Sequence, residues 1–335
     1  MININNISLN YYSFGFYGGL ISNSSRSEPI LDINQLASLA QKHNLGGIEI
    51  PFDRFYDHSS IKDGIAVVEK ILDKGLSVFI DLETFNLDYV DSLLPMLSRI
   101  GIYTIRIKMD QVGRTIYGGN RYLSSTFKVS VDQFHEKLSK LMPALEKFGV
   151  ALAIENHQDL HSLELVDIAN KFNSNLIGIT WDVGNSIAVG DTIESFYANA
   201  GHLIKNVHLK DYKVFKSSKG IRLVRCPLGD GIVNYANLFS KLEDHEVNMS
   251  IELGAQITRD CDINECGYWK NLSEIGLNKR NYMEFIDNIA ITSPISLSNY
   301  EQGLRNNDLI KSEIKEFEVS VENLNRVFLE MNNDQ

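Results

Sequence analysis

Short aliphatic segments alternate along the chain with longer amphipathic segments. The short segments are mostly β-branched or aliphatic, as in strands that are buried on both faces, whereas apolar residues recur at helical spacing in the longer ones. Phe134, Leu138, Leu141 and Leu145, for example, share one face of a predicted helix. The short segments predict eight strands, over residues 7–12, 47–51, 76–82, 103–109, 150–155, 176–182, 204–209 and 247–253. The longer segments predict helices between them, over residues 33–43, 61–73, 87–100, 131–148, 163–172, 193–200 and 235–242.

Strands that alternate with helices in this way predict an α/β fold, the (β/α)₈ TIM barrel. Gly75, Gly101 and Gly149 each stand between a helix and the next strand, where a glycine can end the helix with a positive φ. The length of 335 residues would allow two domains, but barrels of this type use about 250 residues or more as one unit. We therefore expect a single domain over residues 1–335.

The alternation weakens after the eighth predicted strand. Residues 255–297 have no clear period, which predicts an insertion over the barrel mouth. A C-terminal helix over residues 300–332 follows, with Ile310, Ile314 and Phe317 on one apolar stripe. The stripe is shorter than three to four heptads, so a helix that closes the barrel is the preferred interpretation and a coiled-coil partner surface the alternative.

Charge and composition remove several classes of partner. The chain has 32 Lys and Arg against 43 Asp and Glu, for a net charge of −11, which repels nucleic acid and anionic lipid. No uncharged apolar stretch of about 18 residues occurs, and no basic residue precedes Arg26, so we expect neither a membrane span nor a secretory signal. Cys226, Cys261 and Cys266 form no Cys-x-x-Cys pair, as in a cytoplasmic protein with reduced thiols. These features are compatible with a homo-oligomer.

Ionisable side chains stand at the ends of the last four predicted strands: Glu155, Asp182, His208 and Glu252. The active sites of parallel barrels lie at the C-terminal ends of the strands, so these side chains should converge. Each alone could cap a helix or pair with a lysine, but four on consecutive strands favour a shared divalent cation, because unpaired buried carboxylates are costly. Three oxygen ligands and one imidazole suit Mn²⁺, Mg²⁺, Co²⁺ or Zn²⁺.

Five sequence blocks resemble the xylose isomerase-like barrel superfamily: IENHQDLHSLELVDIA (154–169), WDVGNSIAVGDTIESF (181–196), VHLKDYK (207–213), PLGDGIVNY (227–235) and IELG (251–254). The chain is most similar to the sugar phosphate isomerase/epimerase branch, which is related to endonuclease IV and includes ketose 3-epimerases, inosose dehydratases and 3-dehydroshikimate dehydratases. The resemblance implies that Glu155, Asp182, His208 and Glu252 bind one metal ion, with Mn²⁺ preferred. It also implies that Glu155 and Glu252 exchange a substrate proton as acid and base.

Three positions depart from the pattern of the ketose 3-epimerases. Asn185 stands where those enzymes carry a His, Val214 where they carry an Arg, and His161 where they carry a Glu. The residues that recognise a free ketose are therefore not reproduced, and the identity of the sugar stays open. An AP endonuclease is a remote alternative, because WDVGNS offers no His for a trinuclear zinc site and the chain is acidic.

Together these features predict a metal-dependent sugar isomerase or epimerase, which moves a proton at the carbon next to a metal-bound carbonyl of a polyhydroxylated keto substrate. A lyase is the alternative, because the same enolate could expel a β-substituent, as in inosose or dehydroshikimate dehydration or in cleavage of a 3-oxo-glycoside. His157 or His161 would then protonate the leaving group.

Two further residues near these ligands are expected to bind a small sugar substrate. His157 lies two residues past Glu155 and either faces the barrel mouth or caps a helix as a loop histidine. Asn185 follows Asp182 by three residues, at the position where the epimerases place a substrate-binding His.

Lys108 and Asp211 complete the predicted substrate site. Lys108 shares a strand face with Arg106, and the two either bind an anionic group of the substrate or form an ion pair inside the barrel. Asp211 follows His208 closely and either orients its imidazole or forms a loop salt bridge.

Overall fold

The computed structural model describes residues 2–21, 30–256, 258–277, 279–292 and 308–333. The barrel strands are β1 (Ile7–Asn10), β2 (Gly47–Pro51), β3 (Ser77–Asp81), β4 (Thr104–Ile107), β5 (Ala151–Glu155), β6 (Ile177–Asp182), β7 (Ile204–Leu209) and β10 (Asn248–Ile251). They close in the order β1-β10-β7-β6-β5-β4-β3-β2, and every neighbouring pair is parallel. The predicted (β/α)₈ fold is confirmed.

Helices follow the barrel strands and surround the barrel. They are α1 (Ile33–Lys42), α2 (Phe52–Phe55), α3 (Ile61–Leu72), α4 (Leu87–Arg99), α5 (Phe127–Phe148), α6 (Ser162–Phe172), α7 (Ile193–Ala200), α8 (Tyr235–Leu242), α9 (Cys266–Glu274), α10 (Lys279–Ile289) and α11 (Leu309–Asn333). In the described part of the chain, no helix combines the length and the apolarity that crossing a bilayer requires.

Local sequence signals explain many of the helix ends. Asp32 accepts a hydrogen bond from Gln35 N, and Asp32 N donates one to Gln35 Oε1, so that a capping box begins α1. Gly149 ends α5 with a φ of 66°, as its place between helix and strand predicts. The same helix begins at Phe127, before the predicted start at residue 131. The prediction began late because the first turn of the helix lacks the apolar spacing of the remainder.

The main hydrophobic core lies between the barrel and its helices and extends to α11. Trp181 is fully buried and stacks on Phe196, with ring centroids 5.3 Å apart. Phe328 of α11 stacks on Phe239 of α8 at 4.8 Å. The apolar stripe of the C-terminal helix is therefore packed against the barrel side, while residues 300–307 of the predicted helix lie outside the described residues.

A small antiparallel sheet extends the chain beyond the barrel. It consists of β8 (Tyr212–Ser217), β9 (Gly220–Arg225) and β11 (Thr258–Cys261), in the order β11-β9-β8. The first two strands form a hairpin after β7 that was not among the predicted strands. Within residues 255–297 the structure places β11, α9 and α10, which pack with the hairpin around a second apolar cluster, and residues 293–297 lie outside the described residues.

Candidate active site

Four ionisable side chains meet at the C-terminal end of the barrel. Glu155, Asp182 and His208 lie in β5, β6 and β7, and Glu252 directly follows β10, so they come from adjacent strands. Each offers one ligand atom, these atoms lie within 4.8 Å of one another, and all four side chains are buried. We call these four residues the acidic cluster. Its geometry could hold a metal ion.

His208 presents one ring nitrogen to this cluster. Its Nε2 lies 2.9 Å from Glu49 Oε1, so the neutral imidazole carries its proton there. Its Nδ1 lies 2.7 Å from Glu252 Oε2 and 3.9 Å from Glu155 Oε1, but makes no hydrogen bond with acceptable geometry. In the neutral ring the Nδ1 lone pair is available to a cation. Burial favours the neutral ring, yet Glu49 and Glu252 raise the pKa of His208 well above its usual value.

Glu49 supports His208 from the interior of the barrel. It lies in β2, is fully buried, and accepts hydrogen bonds from Asn206 Nδ2 at 2.9 Å and from Ser250 Oγ. Together with Asp81 and His208 it forms a second group with the spacing of metal ligands. Sequence reasoning missed Glu49, although a charged residue inside the apolar strand segment GIEIP was a usable signal.

Two buried cations contact the carboxylates. The Arg106 guanidinium pairs with Glu155 and lies 3.7 Å from Asp81 Oδ1. Lys210 Nζ pairs with Asp182 and lies 2.7 Å from Glu252 Oε1. Arg106 thus forms the barrel-interior ion pair that was one of the two expectations for it.

Glycine at position 254 leaves space for Lys210. Gly254 has a φ of 83°, and a Cβ there would lie 3.1 Å from Lys210 Cε. A larger residue would therefore strain the backbone and crowd the lysine against Asp182 and Glu252.

The charges of this region fit a divalent cation. Five buried carboxylates, from Glu49, Asp81, Glu155, Asp182 and Glu252, meet two fixed cations and one imidazole among the described residues. At formal charges this leaves an excess of two or three negative charges, depending on His208. Burial and the neighbouring Glu49 raise the pKa of Asp81 well above its usual value, as expected where carboxylates outnumber cations. Oxygen donors and one imidazole suit a hard or borderline divalent ion.

The two carboxyl groups that contact Lys210 differ in pKa. Burial opposes ionisation of Glu252, but Lys210 and His208 outweigh it and hold its pKa well below the usual value. Burial raises the pKa of Asp182 despite Lys210. Glu252 is therefore the more readily ionised of the two carboxyl groups.

A cavity of about 190 Å³ opens beside the acidic cluster. It is smaller than the roughly 300–1,000 Å³ typical of clefts for drug-sized ligands. Its lining residues are Tyr12, Leu20, Arg106, Lys108, Tyr117, His157, Gln158, Asn185, Lys210, Tyr212, Glu252, Gly254, Ala255, Gln256 and Arg259. Glu252 is the member of the acidic cluster among them, so its carboxylate can meet a small molecule in the cavity.

Three of the four predicted substrate-binding residues line this cavity: Lys108, His157 and Asn185. Asn185 Nδ2 donates to Asp182 Oδ2 at 2.6 Å and to Glu155 Oε1 at 3.4 Å, so its amide also orients the cluster. Burial, together with nearby Lys108 and other cations, lowers the pKa of His157 well below its usual value, which leaves its ring neutral near pH 7.

Asp211 corrects a prediction. Its carboxylate accepts hydrogen bonds from five main-chain N–H groups, those of Tyr212, Gly229, Gly231, Ile232 and Val233. The expectation that Asp211 orients His208 is wrong, because these amides occupy the carboxylate and His208 contacts Glu49 instead. Asp211 is not among the residues that line the cavity, and its substrate-binding role stays a prediction. The alternative of a loop salt bridge is wrong as well, since the partners are neutral amides.

His161 is also placed differently from the expectation that it could act as an acid. It is the N-cap of α6, where its Nδ1 accepts from Leu163 N at 3.2 Å. Its Nε2 lies 3.1 Å from Asp191 Oδ1, and His161 is not among the residues that line the cavity. It therefore stabilises the start of a helix.

Sequence reasoning also missed several cavity residues. Tyr117 comes from the loop after β4, Gln158 from the loop after β5, and Arg259 from β11, outside the barrel. Gln158 Nε2 donates to Asn185 Oδ1 at 2.8 Å. Its φ of 61° is unusual for a residue other than glycine, but no sequence signal marks such a position.

Comparison with known proteins identifies related sequences. A family model described as xylose isomerase-like TIM barrel matches residues 31–262. The 3-oxo-isoapionate decarboxylase of Pectobacterium atrosepticum is 20% identical over 184 residues, 54% of this chain and 62% of that protein. The uncharacterized protein YihM of Escherichia coli is 23% identical over 212 residues, 62% of this chain and 61% of that protein. The matched region thus spans less than two thirds of the length of either relative.

Solved structures show the same fold. The 3-keto-D-glucoside 4-epimerase YcjR of E. coli has a TM-score of 0.52 at 13% identity, covering 81% of this chain and 98% of that one. A mannonate dehydratase from Streptococcus suis has a TM-score of 0.52 at 12% identity, covering 87% and 98%. A D-tagatose 3-epimerase-like protein has a TM-score of 0.50 at 13% identity, covering 84% and 98%. At such low identities the TM-scores show a shared fold alone, and the names of these proteins show that one fold carries several sugar reactions.

Proposed function

Because the chain belongs to the xylose isomerase-like TIM barrel family, we propose that it is a metal-dependent sugar isomerase or epimerase, which transfers a proton at the carbon next to the carbonyl of a polyhydroxylated keto substrate. The observation that carries this proposal is the convergence of four potential ligands beside a small cavity. Sugar epimerases among the structural neighbours support the substrate class.

The proposed metal ligands are Glu155, Asp182, His208 through Nδ1, and Glu252. A divalent ion bound there, with Mn²⁺ preferred over Mg²⁺, Co²⁺ or Zn²⁺, would polarise the substrate carbonyl and acidify the proton on the neighbouring carbon. The Nε2–H of His208 donates to Glu49, which fixes the orientation of the ring.

Glu252 is the proposed base. Its carboxylate lines the cavity, and Lys210 and His208 keep it ionised, so it can accept a proton from a substrate carbon. Glu155 is the proposed second acid/base group. Arg106 contacts its Oε2 and Asn185 contacts its Oε1, so both oxygens are held in place.

A lyase reaction is the second candidate, because the matched relative from P. atrosepticum is named a decarboxylase. In such a reaction the bond between the carboxylate carbon and the α-carbon breaks, and CO₂ leaves. The electron pair passes to the neighbouring carbonyl to form an enolate, and the α-carbon then takes a proton from solvent water. This route needs no acid for a leaving group, which suits a cavity whose histidine, His157, is neutral near pH 7.

We further propose a cytoplasmic location and a small-molecule substrate, without nucleic acid as a partner. Cys226, Cys261 and Cys266 are free thiols, and the net charge of −11 disfavours binding to a phosphate backbone.

The test combines metal analysis with proton exchange. Purified protein loaded with Mn²⁺ is incubated in deuterated water with a panel of ketoses and keto sugar acids, and NMR follows exchange of the proton next to the carbonyl. Ultraviolet absorbance and CO₂ release are measured in parallel. Metal-dependent exchange without enone or CO₂ supports an isomerase or epimerase, and enone or CO₂ formation supports the lyase. A protein that binds no metal and exchanges no proton contradicts both.

A further inference from the structure

Four cationic side chains line the cavity, and they fall into two pairs. Arg106 and Lys210 contact the carboxylates of the acidic cluster. Lys108 and Arg259 make no side-chain hydrogen bond or ion pair among the described residues. The first pair balances charge already present in the protein, whereas the second lines the cavity without a direct ion pair in the described part of the chain.

Lys108 reaches the cavity because of the register of β4. Lys108 is the first residue after β4. It lies on the inward face with Arg106, while Ile105 and Ile107 lie on the opposite face. The side chain is half-buried. Burial and the neighbouring Arg106 lower the pKa of Lys108, so its ammonium group is poorly stabilised by the protein alone.

Arg259 reaches the same cavity from the small sheet. It pairs across the sheet with Leu223, on the face that also carries the buried Cys261. Asp260 lies on the opposite face beside Arg222, so it does not neutralise Arg259. The Arg259 guanidinium instead lies over the Tyr117 ring, 4.3 Å from its centroid. Stacking of this kind orients the planar group and leaves its N–H donors available.

Tyr117 and His157 complete this wall. Their rings meet edge to face with centroids 5.5 Å apart, and both residues line the cavity. The His157 ring lines the cavity and can form a hydrogen bond with a polar ligand. The wall therefore offers an ammonium, a guanidinium and an imidazole.

We infer that the substrate is an anionic sugar and that Lys108 and Arg259 bind its carboxylate or phosphate group. This inference rests on the proposed function for the identity of the rest of the substrate. Two half-buried cations without a partner are costly to hold in one cavity, and an anion would relieve that cost. Guanidinium and ammonium groups are the usual donors to carboxylate and phosphate.

Three sugars with one carbon skeleton test the inference. They are D-fructose, D-fructuronate and D-fructose 6-phosphate, which differ at the sixth carbon by a hydroxymethyl, a carboxylate and a phosphate ester. Calorimetry with the Mn²⁺-loaded protein measures the Kd of each. We expect at least one anionic sugar to bind about tenfold or more tightly than D-fructose, and the preferred anion identifies the group.

Variants then assign the preference to the two cations. Lys108→Met and Arg259→Met should each weaken binding of the preferred anionic sugar about tenfold or more and change D-fructose binding less than about twofold. Lys205→Met and Arg222→Met are the controls, because each removes one positive charge that does not line the cavity. Lys205 lies near the N-terminal end of β7, and Arg222 lies on β9, which pairs with the strand of Arg259. These controls should retain the wild-type preference.

The inference is overturned if the three sugars bind equally or if none of them binds. It is also overturned if Lys108→Met weakens the binding of anionic and neutral sugars equally. Metal content and proton exchange are measured on the same samples. If they are normal while the preference is absent, the proposed function survives without the anion site. If metal and exchange are absent while the two cations still select an anion, the anion site survives without the proposed function.

Discussion

Asp182 ends one barrel strand and Asp211 follows the neighbouring one, and they belong to two buried polar groupings that differ in the partners of their carboxylates. Asp182 belongs to the acidic cluster, where carboxylates outnumber cations and His208 Nδ1 lacks a hydrogen bond. Asp211 belongs to what we call the anchoring cluster, Asp211, Arg225 and Glu316. There the five main-chain amides saturate Asp211, and Arg225 Nη2 lies 3.1 Å from Glu316 Oε2. Arg225 also donates to the carbonyl oxygens of Ser13 and Gly254.

The difference shows which buried charges point to chemistry. Both clusters are buried, so burial does not separate them. In the anchoring cluster Asp211 accepts from main-chain amides and Arg225 pairs with Glu316, and these contacts tie the 229–233 loop and α11 to the barrel. The acidic cluster leaves an excess of negative charge beside a cavity. We therefore expect changes in the anchoring cluster to cost stability and changes in the acidic cluster to cost metal binding and activity.

The largest expected effect is in the anchoring cluster. Glu316→Leu leaves Arg225 buried without its carboxylate and should lower the free energy of unfolding by about 3–5 kcal/mol. Urea denaturation measures the loss, and metal content should stay at the wild-type level. Glu318→Leu on the same helix is the control, because Glu318 pairs only loosely with the exposed Lys42 and should change stability by less than about 1 kcal/mol. Equal losses in the two variants would contradict the assignment.

Glu252→Gln tests the acidic cluster on the side that faces the cavity. The amide keeps the shape and one oxygen donor but cannot accept a proton. With Mn²⁺ in excess, the variant should remain folded and bind substrate, while exchange of the substrate proton falls on the order of a hundredfold or more. Normal exchange at saturating metal would show that Glu252 is a ligand alone and would transfer the role of base to Glu155 or His157.

Glu49→Gln gives the smallest of these effects. It removes the charge that accepts the Nε2 proton of His208 and leaves the four proposed ligands intact. Loss of such a partner should weaken Mn²⁺ binding by about 10- to 100-fold, measured by calorimetry or by competition with a chelator. An unchanged Kd would mean that Asn206 and the strand itself are sufficient to orient the imidazole.

Much of the architecture is predictable from the sequence, because strand and helix periods are local properties. The predicted segments 47–51, 204–209, 193–200 and 235–242 coincide with β2, β7, α7 and α8. The four proposed ligands are also predictable, since each ends an apolar strand and parallel barrels place those ends together. Their convergence within 4.8 Å agrees with that reasoning, while their role as ligands stays a prediction.

The remaining features depend on which segments the fold brings together. Asp211 resembles a site residue in sequence, but four of the five amides that occupy it come from residues 229–233, about 20 positions away. Arg259 belongs to a strand that pairs with β9 outside the barrel, so no barrel pattern includes it. The β8–β9 hairpin did leave a signal in the alternation of YKVFKS and GIRLVR, which was overlooked because eight strands already complete a barrel.

Metal content in matched aspartate variants tests the central claim most directly. Wild type, Asp182→Asn and Asp211→Asn are dialysed against Mn²⁺, and elemental mass spectrometry counts the ions per chain while circular dichroism and thermal denaturation follow the fold. We predict about one ion per chain in the wild type and in Asp211→Asn, although Asp211→Asn should lose about 1–3 kcal/mol of stability through its unpaired amides. Asp182→Asn should stay folded and lose most of its metal. Stoichiometric metal in Asp182→Asn, or equal loss in both variants, would contradict the claim that the acidic cluster holds a single ion.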